Sequence, residues 1–198
     1  METLATVFGL SFLTALSGAM QPGPLLTYTI QQSLTAPRRG WLMGARIIIG
    51  HAVIELVLIV AILLGFSLIL THRVTVIIIG AAGTLFLLLL AFLTLRDVFV
   101  RKVDLPQKDA FHKPNRKHAL GYPVLGGALV SMSNPFWWVW WATIGFFFMR
   151  GYSVSLEYPL LFAGFFIGHE LGDLGWYSLV STVVAGSRRW FTRRTYHI

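Results

Sequence analysis

The chain has 198 residues, of which 56% are hydrophobic and only 12% are charged, and its mean hydropathy is +0.69. Soluble domains carry about 25% charged residues, so this composition excludes an ordinary soluble protein and predicts an all-α polytopic membrane protein. The net charge of +8 comes from basic residues between long apolar runs, a distribution that indicates membrane topology rather than nucleic-acid binding.

The first predicted span covers residues 4–30 and is interrupted by Pro22-Gly23-Pro24. The segment lacks the basic region of a signal peptide, so we interpret it as a membrane span. Proline removes a backbone donor and breaks a helix, and the freed carbonyls need partners inside the protein or in a hydrated cavity. Gln21 adds an amide group at the break. These four residues are therefore predicted to shape a substrate-binding site.

The second predicted span covers residues 43–70 and carries His51 and Glu55, which are four apart and share one helix face. A carboxylate at the centre of a bilayer costs at least about 2.5–3.5 kcal/mol on insertion scales, so it must face the protein interior and marks a functional site. The third predicted span covers residues 74–95. A cytoplasmic loop of mixed charge follows at residues 99–119.

The fourth predicted span covers residues 122–148 and is interrupted at Asn134-Pro135, where the asparagine adds a second amide to the predicted site. The aromatic run from Phe136 to Trp141 follows this break and shows no helical period. Tryptophan favours membrane interfaces, so packing against lipid is the favoured interpretation of the run. Stacking of these rings on a cationic substrate is the alternative.

The fifth predicted span covers residues 159–185 and contains the segment "GHELGD". At about 100° per residue, His169, Glu170, Asp173, Trp176 and Tyr177 fall within one arc of about 120°. The adjoining face carries Gly164, Gly168, Gly172 and Gly175. Small residues at this spacing let another helix approach closely, so the span is predicted to pack on one face and line a cavity on the other.

Most of the 16 Lys and Arg residues lie in three stretches, residues 38–39, 96–117 and 188–194. The positive-inside rule therefore predicts an N-terminus outside the cell and a basic cytoplasmic tail. Under this topology the first and fourth spans start on opposite sides of the membrane.

Two motifs indicate an internal repeat. "GHAVIE" in the second span and "GHELGD" in the fifth both read Gly-His-x-x-x-carboxylate, and the span before each is broken by proline. Inverted repeats with interrupted helices in corresponding positions are typical of secondary transporters. We expect one transmembrane domain over residues 1–198, with repeat 1 at 1–98, repeat 2 at 120–185 and a basic tail at 186–198.

Histidine–carboxylate pairs suit proton-coupled transport, because a low dielectric disfavours the charged form of both groups and favours proton exchange between them. The predicted coupling or substrate-binding groups are His51, Glu55, His169, Glu170, Asp173 and Trp176. Imidazole and carboxylate ligands could instead hold a transported divalent metal ion. The segment "HELGD" is also close to the His-Glu-x-x-His motif of zinc proteases, but an aspartate replaces the second histidine, so an intramembrane metallohydrolase is disfavoured.

Three segments in order resemble the LysE/RhtB amino-acid exporters. They are "SGAMQPGPLLTYTIQQSLTAPRRGWLMGARIIIGHAVIELVLIVAILLGF", "LGGALVSMSNPFWWVWW" and "FFIGHELGDLGWYSL", and the resemblance covers nearly the whole chain. It implies export of amino acids, typically lysine, arginine, homoserine or threonine, by proton antiport. Some relatives export cadmium, which keeps the metal alternative open.

The resemblance implies six spans, whereas the sequence predicts five and ends with "SRRWFTRRTYHI". A truncated protein, a natural five-span form and a second repeat completed by a homodimer all remain open. We expect a multi-pass protein of the inner membrane that transports a small molecule. It should be neither an enzyme nor a nucleic-acid-binding protein, and should carry no cofactor and no resident metal ion.

Overall fold

The computed structural model describes residues 3–36, 38–66 and 122–187, together with isolated positions between 69 and 92. Within these residues the chain is helical and forms no strand. Most of the third predicted span, the loop at 99–119 and most of the basic tail lie outside the described residues. The all-α prediction is confirmed for the described part.

The first predicted span is two helices, α1 (Leu4–Ala19) and α2 (Pro24–Thr35), which meet at an angle of 79°. Gly23 caps α2 and Pro24 occupies its first turn, where a missing N–H costs nothing because the first four donors of a helix have no intrahelical acceptor. The predicted break is therefore confirmed. Helix α2 continues beyond the predicted end at residue 30.

A short 3₁₀ turn at Gly40–Leu42 leads into α3 (Met43–Ala61), which begins where the second span is predicted to begin. A wider π-type turn at Ile62–Phe66 follows, and Gly65 within it has φ = 109°. A positive φ is readily adopted only by glycine, so regular helical geometry is interrupted at Gly65, within the predicted span.

The fourth predicted span is also broken as expected. Helix α4 (Tyr122–Met132) ends before Asn134, and α5 (Pro135–Trp140) begins directly after it. The Asn134 side-chain oxygen accepts a hydrogen bond from the Phe136 backbone N–H at 3.1 Å, which caps the new helix. A π-type turn at Trp141–Gly145 connects α5 to α6 (Phe146–Gly151).

Helix α7 (Pro159–Ser187) matches the fifth predicted span closely and packs along α1. The predicted packing role of its glycines is confirmed for Gly164, Gly168 and Gly172, which face α1, whereas Gly175 has open space beside it. A Cβ atom at Gly172 would lie 2.8 Å from the Cβ atom of Ala15. Glycine at these positions lets the two helices approach closely.

Helix α3 packs against α4 in the same manner. Gly50 of α3 lies against the backbone carbonyl of Val124, and Gly127 of α4 lies against the carbonyl of Ile47. At its N-terminal end α3 also contacts α7, because Gly44 lies against the backbone carbonyl of Tyr177. These backbone approaches place the polar middle of α3 directly beside the polar middle of α7.

Among the described helices, one is long and apolar enough to cross a membrane, at Gly40–Phe66 with a mean hydropathy of 2.8. The bent pair formed by α1 and α2 would count as a second crossing if taken as one broken span. The number of five spans and the inverted arrangement of the two halves remain predictions.

Candidate functional site

Four ionisable side chains meet between α3 and α7. His51 and Glu55 lie on successive turns of α3, and His169 and Asp173 lie on successive turns of α7. Each is at most 5% exposed. The i,i+4 spacing predicted each pair, and the packing of the two helices joins the pairs into one buried site.

The four side chains alternate around a closed ring. His51 Nε2 lies 3.0 Å from Glu55 Oε1 and 3.3 Å from Asp173 Oδ2. His169 Nε2 lies 3.4 Å from Glu55 Oε2 and 3.8 Å from Asp173 Oδ2. Each imidazole therefore faces one carboxylate of its own helix and one of the partner helix. This pairing offsets the high cost of burying isolated charges.

Two indole groups fix the Glu55 carboxylate. Trp137 Nε1 donates a hydrogen bond to Oε1 at 2.6 Å, and Trp141 Nε1 donates to the same oxygen at 2.9 Å. The two tryptophans are four residues apart, so they present their N–H groups to the same side of the helix. Glu55 Oε1 is thereby held as an acceptor.

Ser131 holds His51 at the Nδ1 side of its ring. The Ser131 hydroxyl donates its single hydrogen to the Gly127 carbonyl at 2.8 Å, and its oxygen lies 2.7 Å from His51 Nδ1. With that hydrogen on the Gly127 carbonyl, Nδ1 is the donor to the hydroxyl oxygen.

This arrangement has a consequence for the protons of the ring. With Nδ1 protonated, His51 Nε2 would be a bare acceptor facing two carboxylates unless a proton lies between them. Glu55 Oε1 already accepts two indole N–H groups, so this proton lies on His51 Nε2 or on Asp173.

The ring forms one wall of a cavity of about 160 Å³, and the two proline breaks form another. Gly23 and Asn134 face each other across these breaks, since a Cβ atom on Gly23 would lie 3.8 Å from Asn134 Nδ2. The sequence-predicted site residues that line this cavity are Gln21, Pro22, Gly23, Pro24, His51, Glu55, Asn134, His169 and Asp173.

Three other predicted site residues lie outside the lining of this cavity, namely Pro135, Glu170 and Trp176. Pro135 occupies the first turn of α5. Both carboxylate oxygens of Glu170, and the indole nitrogen of Trp176, are buried without a hydrogen-bond partner among the described residues.

The favoured interpretation of the aromatic run was wrong. Trp137, Trp140 and Trp141 are 8%, 5% and 0% exposed and pack inside the protein instead of facing lipid. Sequence reasoning also missed Ser131. For the two tryptophans that donate to Glu55, the sequence did offer a signal, the i,i+4 spacing of Trp137 and Trp141. That spacing was hidden within a run of successive aromatic residues.

The described residues are helical, and they place a buried ring of histidines and carboxylates beside a small cavity between broken helices, an arrangement typical of membrane transporters. Residues 16–198 match the family model of the LysE type translocators, and the chain belongs to that family. Its members are integral membrane proteins and form a family of translocators, not of enzymes. No curated protein and no solved structure matches the chain. The resemblance to LysE-type exporters is therefore confirmed at the level of the family.

Proposed function

We propose that this chain exports amino acids or related small metabolites across the cytoplasmic membrane in exchange for protons. The observation that carries the proposal is the buried ring of His51, Glu55, His169 and Asp173 in the wall of the cavity. The ring supplies a site for a proton and two acidic groups for a substrate's cationic group in the same place.

The size of the cavity favours a small substrate. Its volume of about 160 Å³ is below the roughly 300–1,000 Å³ typical of sites for drug-sized ligands. The carboxylates of Glu55 and Asp173 suit an ammonium group, and the backbone freed at the proline breaks adds further polar contacts. A free amino acid has the size and the charge that these walls require.

Competition between the proton and the substrate explains why exchange would be coupled. A substrate ammonium group beside Asp173 would add a positive charge to a buried ring that already holds a proton. Uncompensated charge is costly in a buried, low-dielectric site, so binding of the substrate favours release of the proton. Rebinding of a proton from the other side then favours release of the substrate.

We further infer an inverted repeat with the N-terminus outside and the tail in the cytoplasm. The cross-helix pairing of His51 with Asp173, and of His169 with Glu55, supports corresponding positions in the two halves. The chain contains no cysteine, so single substitutions allow a direct test. A membrane-impermeant maleimide should label Thr3→Cys in intact spheroplasts and Ser187→Cys only in inside-out vesicles. The reverse pattern would contradict the orientation.

Flux measurements test the coupling. Purified wild-type protein in proteoliposomes should release amino acids faster when the receiving side is acidic. Asp173→Asn should reduce this gradient-driven component by at least about tenfold, the effect of losing a charged hydrogen bond. Glu157→Gln, at an exposed carboxylate between α6 and α7, is the matched control and should retain it. Undiminished gradient-driven flux in Asp173→Asn would rule out the coupling role.

A divalent metal ion is the second candidate substrate, because donor atoms of His51, Glu55 and Asp173 all lie within 4.8 Å of one another. Imidazole and carboxylate groups together suit transition-metal ions. Vesicles loaded with Zn²⁺ or Cd²⁺ separate the two candidates. Metal efflux without amino-acid efflux would replace the amino-acid proposal.

A further inference from the structure

Trp140 has a different environment from the other tryptophans of the aromatic run. The indole N–H groups of Trp137 and Trp141 donate to Glu55, and that of Trp138 donates to the Met132 carbonyl at 2.8 Å. Trp140 Nε1 is buried, in a side chain only 5% exposed, and has no hydrogen-bond partner among the described residues. A buried donor without an acceptor is costly and indicates a contact that the protein's own residues do not supply.

The unpaired indole N–H lies at the cavity wall beside α1. Gly18 and Trp140 both line the cavity, and a Cβ atom on Gly18 would lie 3.2 Å from Trp140 Nε1. A side chain at this position would crowd the donor, and glycine avoids that contact. The Trp140 ring also packs against His169, with ring centroids 5.2 Å apart, and His169 Nδ1 is another buried atom without a partner.

We propose that Trp140 Nε1–H is the group that recognises the carboxylate of a zwitterionic substrate, and that Gly18 keeps this donor open. An indole N–H can only donate, so it cannot bind an ammonium group, and a carboxylate is among the strongest acceptors available. Glu55 and Asp173 supply acceptors and Trp140 supplies a donor, so the cavity distinguishes the two charged ends of an amino acid. This assignment rests on the proposed export of amino acids.

The proposal predicts selectivity for the free carboxylate over the carboxamide. Proteoliposomes are loaded with an equimolar mixture of the twenty standard amino acids and their carboxamides, and mass spectrometry measures the efflux of each. Wild-type protein should release the transported amino acid at least about tenfold faster than its amide, as expected for a hydrogen bond to a charged group. Trp140→Phe should bring this ratio close to one.

Two further variants separate recognition from packing. Gly18→Ala leaves the indole in place but crowds its N–H, so it should also lower the acid-to-amide ratio. Trp138→Phe removes an N–H that already has an acceptor, and Gly9→Ala adds a methyl group to α1 where no atom lies within 4 Å. Both controls should retain the wild-type ratio, with membrane abundance measured for every variant.

The outcomes are distinguishable. Amino-acid efflux from wild-type vesicles with an unchanged acid-to-amide ratio in both Trp140→Phe and Gly18→Ala would overturn the role of Trp140 while leaving the proposed function intact. Absence of amino-acid efflux from the wild-type protein would overturn the proposed function and this inference together. A lower acid-to-amide efflux ratio in both Trp140→Phe and Gly18→Ala, with the ratio of the two controls unchanged, would support the role of Trp140.

Discussion

The two histidine–carboxylate pairs have the same spacing but very different surroundings. On α3, His51 Nδ1 is bonded to Ser131, and Glu55 Oε1 accepts hydrogen bonds from two indoles. On α7, His169 Nδ1 has no partner among the described residues, and its Nε2 lies 3.8 Å from Asp173. The α3 pair is therefore fixed by hydrogen bonds, whereas His169 of the α7 pair packs against the rings of Trp140, Trp141 and Phe165.

Truncation of each carboxylate should give the largest contrast between the pairs. Glu55→Ala leaves two buried indole N–H groups without their acceptor and removes the nearer carboxylate of both imidazoles, so we expect a loss of about 3–5 kcal/mol in stability. Asp173→Ala removes longer contacts that no indole supports and should cost less. Thermal unfolding of both variants in detergent measures the difference. An equal or greater loss for Asp173→Ala would show that the α3 pair is not the better anchored one.

A smaller effect is expected when the contact between Ser131 and His51 Nδ1 is removed. Ser131→Ala removes the acceptor of the buried Nδ1–H and should lower stability by about 1–3 kcal/mol. Transport should become less dependent on the pH gradient, because His51 is then free to adopt the other tautomer. Ser133→Ala is the matched control, since its exposed hydroxyl donates to the Val130 carbonyl of its own helix end, away from His51. Identical behaviour of the two variants in unfolding and in flux would argue against a fixed tautomer.

The features that the sequence predicted correctly depend on short-range chemistry. Proline at positions 22, 24 and 135 breaks a helix wherever it occurs in the interior, and the i,i+4 spacing of His51 and Glu55 follows from helix geometry alone. The ring itself depends on how α3 and α7 pack, and no local pattern states that His51 lies opposite Asp173. Ser131 was missed for the same reason, because an isolated serine in an apolar helix becomes informative only when its partner is known.

The tryptophans show a second limit of prediction from sequence. A preference for the membrane interface is an average over many proteins, and here it was outweighed by the hydrogen bonds that a buried carboxylate requires. Glu55 needs donors in an apolar environment, and an indole supplies one N–H together with a large apolar surface. A buried acid in one predicted span is thus a reason to look for tryptophan in another.

The contact between Gly44 and the Tyr177 carbonyl lies seven positions before His51 on α3, a separation of about 10 Å at 1.5 Å per residue. At this crossing the backbones of α3 and α7 meet directly, with the Ser181 hydroxyl beside them, so the crossing can serve as a pivot for α3. A tilt of about 10° there would displace His51 by about 2 Å over that separation. That displacement is enough to separate His51 Nε2 from Asp173 Oδ2, now 3.3 Å apart, so a slight rocking of the helices would suffice to open the ring.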